Sequence, residues 1–518
     1  MLPDKKPTER PSHAEHADNG GHPPLSPADL IRHCDTLCQA GDAIKALHLA
    51  LATAAASPDN VPLIEACATV VWKHTGRYDI AVALLKKCVL LDPHNVGTQL
   101  FLAEALIARG DVSGGCAVFS RIIAHSPEHR RVATFRLSKA LLDSGYPREA
   151  FQILAAWLET GEITAGLLNN MAVALLYLNR STEALPYLEN ALQAEPDHAG
   201  ISFTYATALL KSGHYPQGWA RYARRSPDID GRIAPVSSLP RLRHGDAIQG
   251  KKIVLYQEQG LGDTLQFIRF LPALQALGGQ ITLVVSAQLV RLMTLSFPAL
   301  PIVQMEDFQI TAGYDYAAPI PDLPFITGMT SAEDGMMPAP YLRACPTDIE
   351  RFSTILPKRR PRIGIVWAGE RRARIENVAL DRRRSMTVAE MVPLFSSLDA
   401  TLVNLQFGSA RSQLAQSHGV PVFDPMDEVH DMADSAAIME NLDLVLSVDT
   451  SPAHLAGALR RPVWLLSRQD ACWRWGDKGH TTPWYPDMRI FRAPDRSLAS
   501  VIPEVARALH QWIETGGY

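Results

Sequence analysis

No uninterrupted apolar run approaches the roughly 18 residues that a membrane-crossing helix needs. Neither sign of charge dominates: 50 Lys and Arg against 54 Asp and Glu leave −4 over 518 residues, so nucleic acid is not an expected partner and no polybasic tail marks a membrane surface. From Met1 to about Ser26 the chain is rich in Pro, His, Glu and Asp and lacks an apolar segment. That composition excludes a secretory signal and predicts a disordered leader over 1–27, with His13, His16 and His22 in solvated tail. Cysteine is sparse and odd in number: Cys34, Cys38, Cys67, Cys88, Cys116, Cys345 and Cys472. Most fall in apolar helical patterns, which predicts reduced, buried thiols and a cytoplasmic address. None has partners at zinc-ligand spacing, and no metal is expected.

What is present first is a repeat. Gly41, Gly76, Gly110, Gly145, Asn179 and Gly213 are separated by 35, 34, 35, 34 and 34 residues, and a small residue follows each by five: Ala46, Ala81, Gly115, Ala150, Ala184 and Gly218. Prolines at Pro58, Pro93, Pro127 and Pro196 keep the same phase. A 34-residue period with a small residue at each helix crossing is that of tetratricopeptide repeats, expected here over 28–225 as about six units. One hairpin cannot bury its apolar face alone, so the units stack into an α-solenoid whose concave surface grips a peptide or protein, or serves as a spacer or dimerisation element. Over 226–250 Pro227, Pro235 and Pro240 forbid a long helix and predict an ordered connector. Its Asp228-Ile229-Asp230 has the form of a metal-binding carboxylate pair, but without a flanking strand it reads as turn chemistry.

After Gly250 short apolar runs alternate with helical patterns, which predicts parallel α/β sheets covered on both faces. Strands are expected at 253–257, 281–286, 302–305 and 314–318, then at 362–367, 401–406, 442–448, 462–466 and 488–491. The series divides near Pro338–Pro361, giving two Rossmann-like domains, 251–355 and 356–518, with ligands in a cleft at the strands' C-terminal ends. The last stretch, about Leu498 to Glu514, reads as an amphipathic helix packing back on the domain.

Three stretches could carry chemistry. In Gln257-Glu258-Gln259-Gly260-Leu261-Gly262-Asp263 a strand turns into a helix, and the two glycines allow close approach of backbone, phosphate or sugar. Asp263 in the first helical turn either caps that helix or serves the cleft; on spacing alone capping is the commoner role. Ser447-Val448-Asp449-Thr450-Ser451-Pro452-Ala453-His454 also passes from strand to helix. Thr450 or Ser451 would cap it, leaving free N–H groups for a diphosphate, and His454 either donates to phosphate or bonds backbone in the core. Finally, residues 358–384 hold ten basic side chains against Glu370, Glu376 and Asp381, a net +7 in 27 residues. Most of these are surface, but arginines after Trp367-Ala368-Gly369 could hold phosphate or a sugar carboxylate bidentately. Trp473, Trp475, Trp484 and Tyr485 either stack on sugars or bases or pack.

Together, Gln257–Thr264, Gly364–Gly369 and Ser447–Gly457 resemble bacterial tetratricopeptide-repeat proteins with a glycosyltransferase family 9-like domain. That domain is similar to the ADP-heptose:lipopolysaccharide heptosyltransferases of GT-B fold. Trp473-Arg474-Trp475, Trp484-Tyr485-Pro486 and Gly213–Trp219 fit the repeat-containing branch. The resemblance implies an inverting, metal-independent transfer from a nucleotide sugar, with no cofactor. It places Asp263 as, or near, the general base, with Gln257, Gln259, Gly260 and Gly262 on the acceptor side. It assigns Trp367, Gly369, Arg383, Arg384, Asp449, Thr450, Ser451 and His454 to the donor. The family's donor-site lysine is missing from 370–384, so Arg382, Arg383 or Arg384 would replace it, which counts against heptose. Some repeat-containing relatives modify flagellin in the cytoplasm, gripping it with the repeats and using a nonulosonic acid such as pseudaminic acid. The expected function is therefore transfer to Ser or Thr of a protein. A glycan or lipid-linked acceptor and a non-catalytic scaffold are the alternatives.

Overall fold

The computed structural model describes residues 25–310, 313–337, 339–370, 380–395, 398–416, 419 and 421–517. Residues 1–24 of the expected leader, and Arg371, Arg372, Arg374 and Glu376 of the basic stretch, lie outside the described residues, and the first helix begins at Pro27, with Ser26 as its N-cap. Two compact units divide the chain, Met1–Leu102 and Ala103–Tyr518. Among the described residues no helix is long and apolar enough to cross a membrane.

Between Pro27 and Tyr222 the helices pair into six hairpins. Every turn position found by the period has positive φ, from 58° at Asn179 to 104° at Gly110, a region that glycine and asparagine tolerate best. The small residues lie where paired helices touch. Ala46, Ala81, Ala150 and Ala184 are fully buried, and a Cβ on Gly115 would stand 2.5 Å from Ile107 Cγ1. In the first unit Leu30, Cys34, Ala46, Leu63, Cys67 and Ala81 form one apolar cluster. In the second, the fifth hairpin (Ala165–Tyr177 and Ser181–Ala194) buries Leu167, Met171, Leu175 and Leu188 in another.

The second unit also contains two sheets, parallel throughout. One has the order β3-β2-β1-β4, from β1 (Lys252–Tyr256), β2 (Gln280–Val285), β3 (Ile302–Gln304) and β4 (Tyr316–Pro319). The other has the order β10-β9-β8-β5-β6-β7, from β5 (Arg362–Val366), β6 (Thr401–Asn404), β7 (Val422–Phe423), β8 (Leu444–Val448), β9 (Val463–Ser467) and β10 (Met488–Arg492). All nine expected strands are there, with ends shifted by a residue or two. The tenth, β7, is a two-residue edge strand, too short to show a period. β5, β8 and β9 are buried along their whole length, as parallel strands covered on both faces must be. The C-terminal helix begins at Ile502 after a 3₁₀ turn over Leu498–Val501 and packs Ile502, Val505 and Leu509 against that sheet.

The connector adds to the first sheet. Its 3₁₀ helix, Gly231–Ser238, lays Ile233 and Val236 on Val254, Tyr256 and Val284, and Arg241 bridges Ala317 of β4. Arg225, at the end of the repeats, pairs with Glu258 and, at 2.7 Å, with Asp322, which also takes Arg241 at 2.6 Å. The two carboxylates are buried, and each has its partner. The last hairpin shares a core with the sheets: Trp219, 1% exposed, meets Phe267, Trp473 and Trp484 edge-on at 5.5–6.5 Å. The last repeats and the α/β half therefore share one interior.

Candidate active site

The first wall of the cleft is the turn after β1. Gln257 accepts from the Ser286 amide at 2.9 Å, anchoring the turn to the end of β2. Gln259, not a glycine, takes the left-handed conformation (φ 65°), and its Nε2 donates to the Tyr222 hydroxyl at 2.9 Å. The turn is thus tied to the last repeat. The Leu261–Phe267 helix follows, and Asp263 Oδ2 accepts from the Gly260 amide at 3.0 Å. Asp263 does cap its helix, and capping leaves its second oxygen free for other work. That oxygen, Oδ1, pairs with the guanidinium of Arg474, which comes from the other sheet. Arg474 is fixed in turn by Gln266 Oε1 at 2.7 Å and by the Trp473 ring, 4.4 Å away. Burial opposes its charge, but the Asp263 carboxylate holds its pKa above the usual value.

The second wall is the turn after β8. Thr450 occupies the N-cap position of the Ser451–Ala458 helix in extended backbone, but its hydroxyl makes no capping bond. Ala453 donates to the Thr450 carbonyl at 3.0 Å and Pro452 has no N–H, so no side chain caps this helix start, whose dipole is open to an anion. His454 is 5% exposed, with Nδ1 2.9 Å from the Tyr485 hydroxyl and its ring stacked on Trp475 at 5.5 Å. Its partner in the protein is a side chain, where the sequence offers a phosphate or a backbone group. Burial, then the nearby Arg474 charge, pull its pKa down to about 3, so His454 is neutral at physiological pH. Gly262 explains how closely the walls approach, because a Cβ there would sit 2.8 Å from His454 Cδ2. The close approach is of one wall to the other.

Between the walls lies a cleft of about 840 Å³, and a smaller pocket of about 200 Å³ shares Leu261, Glu370, Thr450 and Ser451 with it. Gln257, Gln259, Gly260, Gly262, Asp263, Arg384, Asp449, Thr450, Ser451 and His454 all line the larger space. Three other residues named from the sequence do not. Trp367 is fully buried among Ile365, Met386 and Met391, because a large apolar ring at a strand end packs first. Gly369 instead makes room for Arg384, whose Cζ would lie 2.8 Å from a Cβ there. Arg383 faces the fourth repeat, donating to the Asp143 carbonyl and pairing with Asp470 at 3.0 Å. Of the three arginines offered for the missing lysine, Arg384 reaches the cleft.

Sequence reasoning missed Arg468 and named Arg474 only as part of an aromatic motif. Arg468 follows β9 and lines the cleft. It is 9% exposed; its Nε and Nη1 have no hydrogen-bond partner among the described residues, and its nearest carboxylate, Asp470, is 3.4 Å away. Nε is thus ion-paired with Asp470, and Nη1 is a buried donor that an anion could take. Its place at a strand's C-terminal end was the available signal. Trp475, Trp484 and Tyr485 are at most 2% exposed and serve packing. Asp230 caps the connector's 3₁₀ helix and pairs with Arg232 at 2.8 Å, the turn chemistry expected, while also lining the cleft.

The tetratricopeptide repeat model matches residues 74–138 and 175–230. These are tetratricopeptide repeats. Protein FlbA of Caulobacter vibrioides is 27% identical over 465 residues, 84% of this chain and 70% of that protein. Among solved structures, the α/β half is similar to the glycosyl transferase family 9 protein of Veillonella parvula (12% identity, TM-score 0.38, 51% of this chain and 98% of that one). It is also similar to the E. coli heptosyltransferase WaaC (14% identity, TM-score 0.35, 51% and 99%).

Proposed function

We propose that the protein is an inverting, metal-independent glycosyltransferase that moves a sugar from a nucleotide donor to a Ser or Thr hydroxyl of a protein acceptor. The observation that carries this reading is one cleft with Asp263 on one wall and, facing it, an uncapped helix start beside Arg384 and Arg468. The donor's diphosphate lies on the Thr450–His454 turn, where the dipole of the uncapped helix start and Arg468 neutralise the charge that grows as the phosphate leaves. Neutral His454 adds a polar ring atom without a charge. The nucleoside occupies the smaller pocket, against Gln406, Phe407 and Gly408. Asp263 accepts the proton of the attacking hydroxyl while its oxygen bonds the anomeric carbon on the face opposite the departing phosphate. Arg474 fixes the direction of that carboxylate.

In this reading 251–355 serve the acceptor side, 356–518 serve the donor side, and the repeats bring the protein substrate. Flagellin is the first acceptor to try, with a nonulosonic acid as the sugar, because the arginines that reach the cleft suit a carboxylated donor. Intact-mass spectrometry of flagellin and co-purifying proteins, from cells with and without the gene, tests it. A sugar-sized mass on Ser or Thr that vanishes with the gene supports the reading, whereas identical masses count against a protein acceptor.

A further inference from the structure

The repeat turns follow one rule with one exception. Five of the six are glycine; the fifth in order is Asn179. The backbone there needs only a left-handed residue, which glycine supplies at no cost. The asparagine side chain does something a glycine could not. Its Nδ2 donates to the Gln469 carbonyl at 2.8 Å, and its Oδ1 accepts from Lys211 Nζ at 2.9 Å. Two residues on, the amide and hydroxyl of Ser181 both donate to Asp477 Oδ2, at 2.9 and 2.7 Å.

Lys211 itself is out of place. It ends the Ala199–Lys211 helix with a side chain only 2% exposed, where a leucine would stack the repeats better. Burial pulls its ammonium down to about 8. It is held by the carbonyls of Leu176 and Ala471, at 2.8 and 3.1 Å, and lies 3.5 Å from Asp477. Gln469, Ala471 and Asp477 thus each take a partner from the fifth or sixth repeat. The segment they grip, 468–477, presents Arg468 and Arg474 to the cleft from its other side.

We propose that Asn179, Ser181 and Lys211 are positioning residues, which hold the 468–477 segment so that Arg468 and Arg474 stand in the cleft. The last repeats are then part of the catalytic centre and not a detachable acceptor arm. This rests on the transferase reading for its consequence and on hydrogen bonds alone for its geometry.

The test uses the full chain with Asn179→Gly, which keeps the turn and removes only the side chain, and with Lys211→Met as a second variant. Hydrogen exchange is read across 468–477, melting is followed, and ADP, UDP, GDP and CMP are titrated calorimetrically. In Asn179→Gly, exchange should quicken within 468–477 at an unchanged melting temperature, and affinity for the best nucleotide should fall about tenfold. Exchange as slow as in the unaltered chain overturns the proposal. So does faster exchange with undiminished affinity. If the unaltered chain binds no nucleotide, the transferase reading fails instead, and the exchange result alone then decides whether the repeats hold the segment.

Discussion

On the first wall of the cleft, the connector and the turn after β1 bring mostly carboxylates: Asp228, Asp230, Glu258 and Asp263, with Arg232 as the minority. On the second, β8 and β9 end in turns beside Arg384 and Arg468, with Asp449 and Glu370 as their carboxylates. The strand-turn-helix plan is the same in both, down to a helix whose first turn faces the cleft. The difference lies in what satisfies that first turn. Asp263 caps its own helix from within, so that helix start is already neutralised. Thr450 caps nothing, so the opposite helix start keeps its pull on an anion. In the proposed reading these two copies of one local geometry are the acceptor wall and the donor wall, with Arg474 crossing between them.

The sharpest way to break this comparison is Asp263→Asn. It should lower transfer by about 10²–10⁴-fold because the proton acceptor is lost; it also takes the counter-charge from Arg474, but no group on the phosphate side, so nucleotide affinity should not fall; steady-state kinetics beside calorimetry would check it. Next comes Arg468→Leu. Losing charge-assisted bonds to a phosphate should weaken nucleotide binding by roughly ten- to a hundredfold, read by titration. Gly262→Ala probes the approach of the walls: its Cβ meets a histidine pinned by Tyr485 and Trp475, so about 1–3 kcal/mol of stability should be lost in chemical denaturation.

The smallest effect concerns pH. The folded pKa of His454, about 3, lies below its ordinary 6.5, so on acidification the unfolded chain takes up the proton first. Above about pH 6.5 the group contributes nothing to the pH dependence. Between there and about 3 it makes stability fall with pH, by up to about 2 kcal/mol at pH 5. His454→Phe should flatten that acid limb in denaturation curves at pH 7 and 5.

Much of the fold was legible because its signals are local. The 34-residue period marked turns whose φ is positive, and continuous apolar runs marked buried parallel strands. Asp263 and the Thr450 turn were legible for the same reason: each sits at a strand end followed by a helix. Arg468, Arg474 and the role of Asn179 were not, because each depends on a partner far along the chain. Asn179 meets Gln469 and Asp263 meets Arg474, pairs separated by hundreds of residues that no window reads. Trp367 misled for a related reason. An aromatic at a strand's C-terminal end resembles a ligand platform, and only the packing of Met386 and Met391 around it shows that it faces the core.

The central claim is that opposite walls do separate work, and one paired titration tests it most directly. The best-binding nucleotide is titrated into Asp263→Asn and Arg468→Leu beside the unaltered chain. This account expects Asp263→Asn to bind like the unaltered protein and Arg468→Leu to bind at least about tenfold more weakly. Equal affinity in all three, or a loss confined to Asp263→Asn, would contradict it.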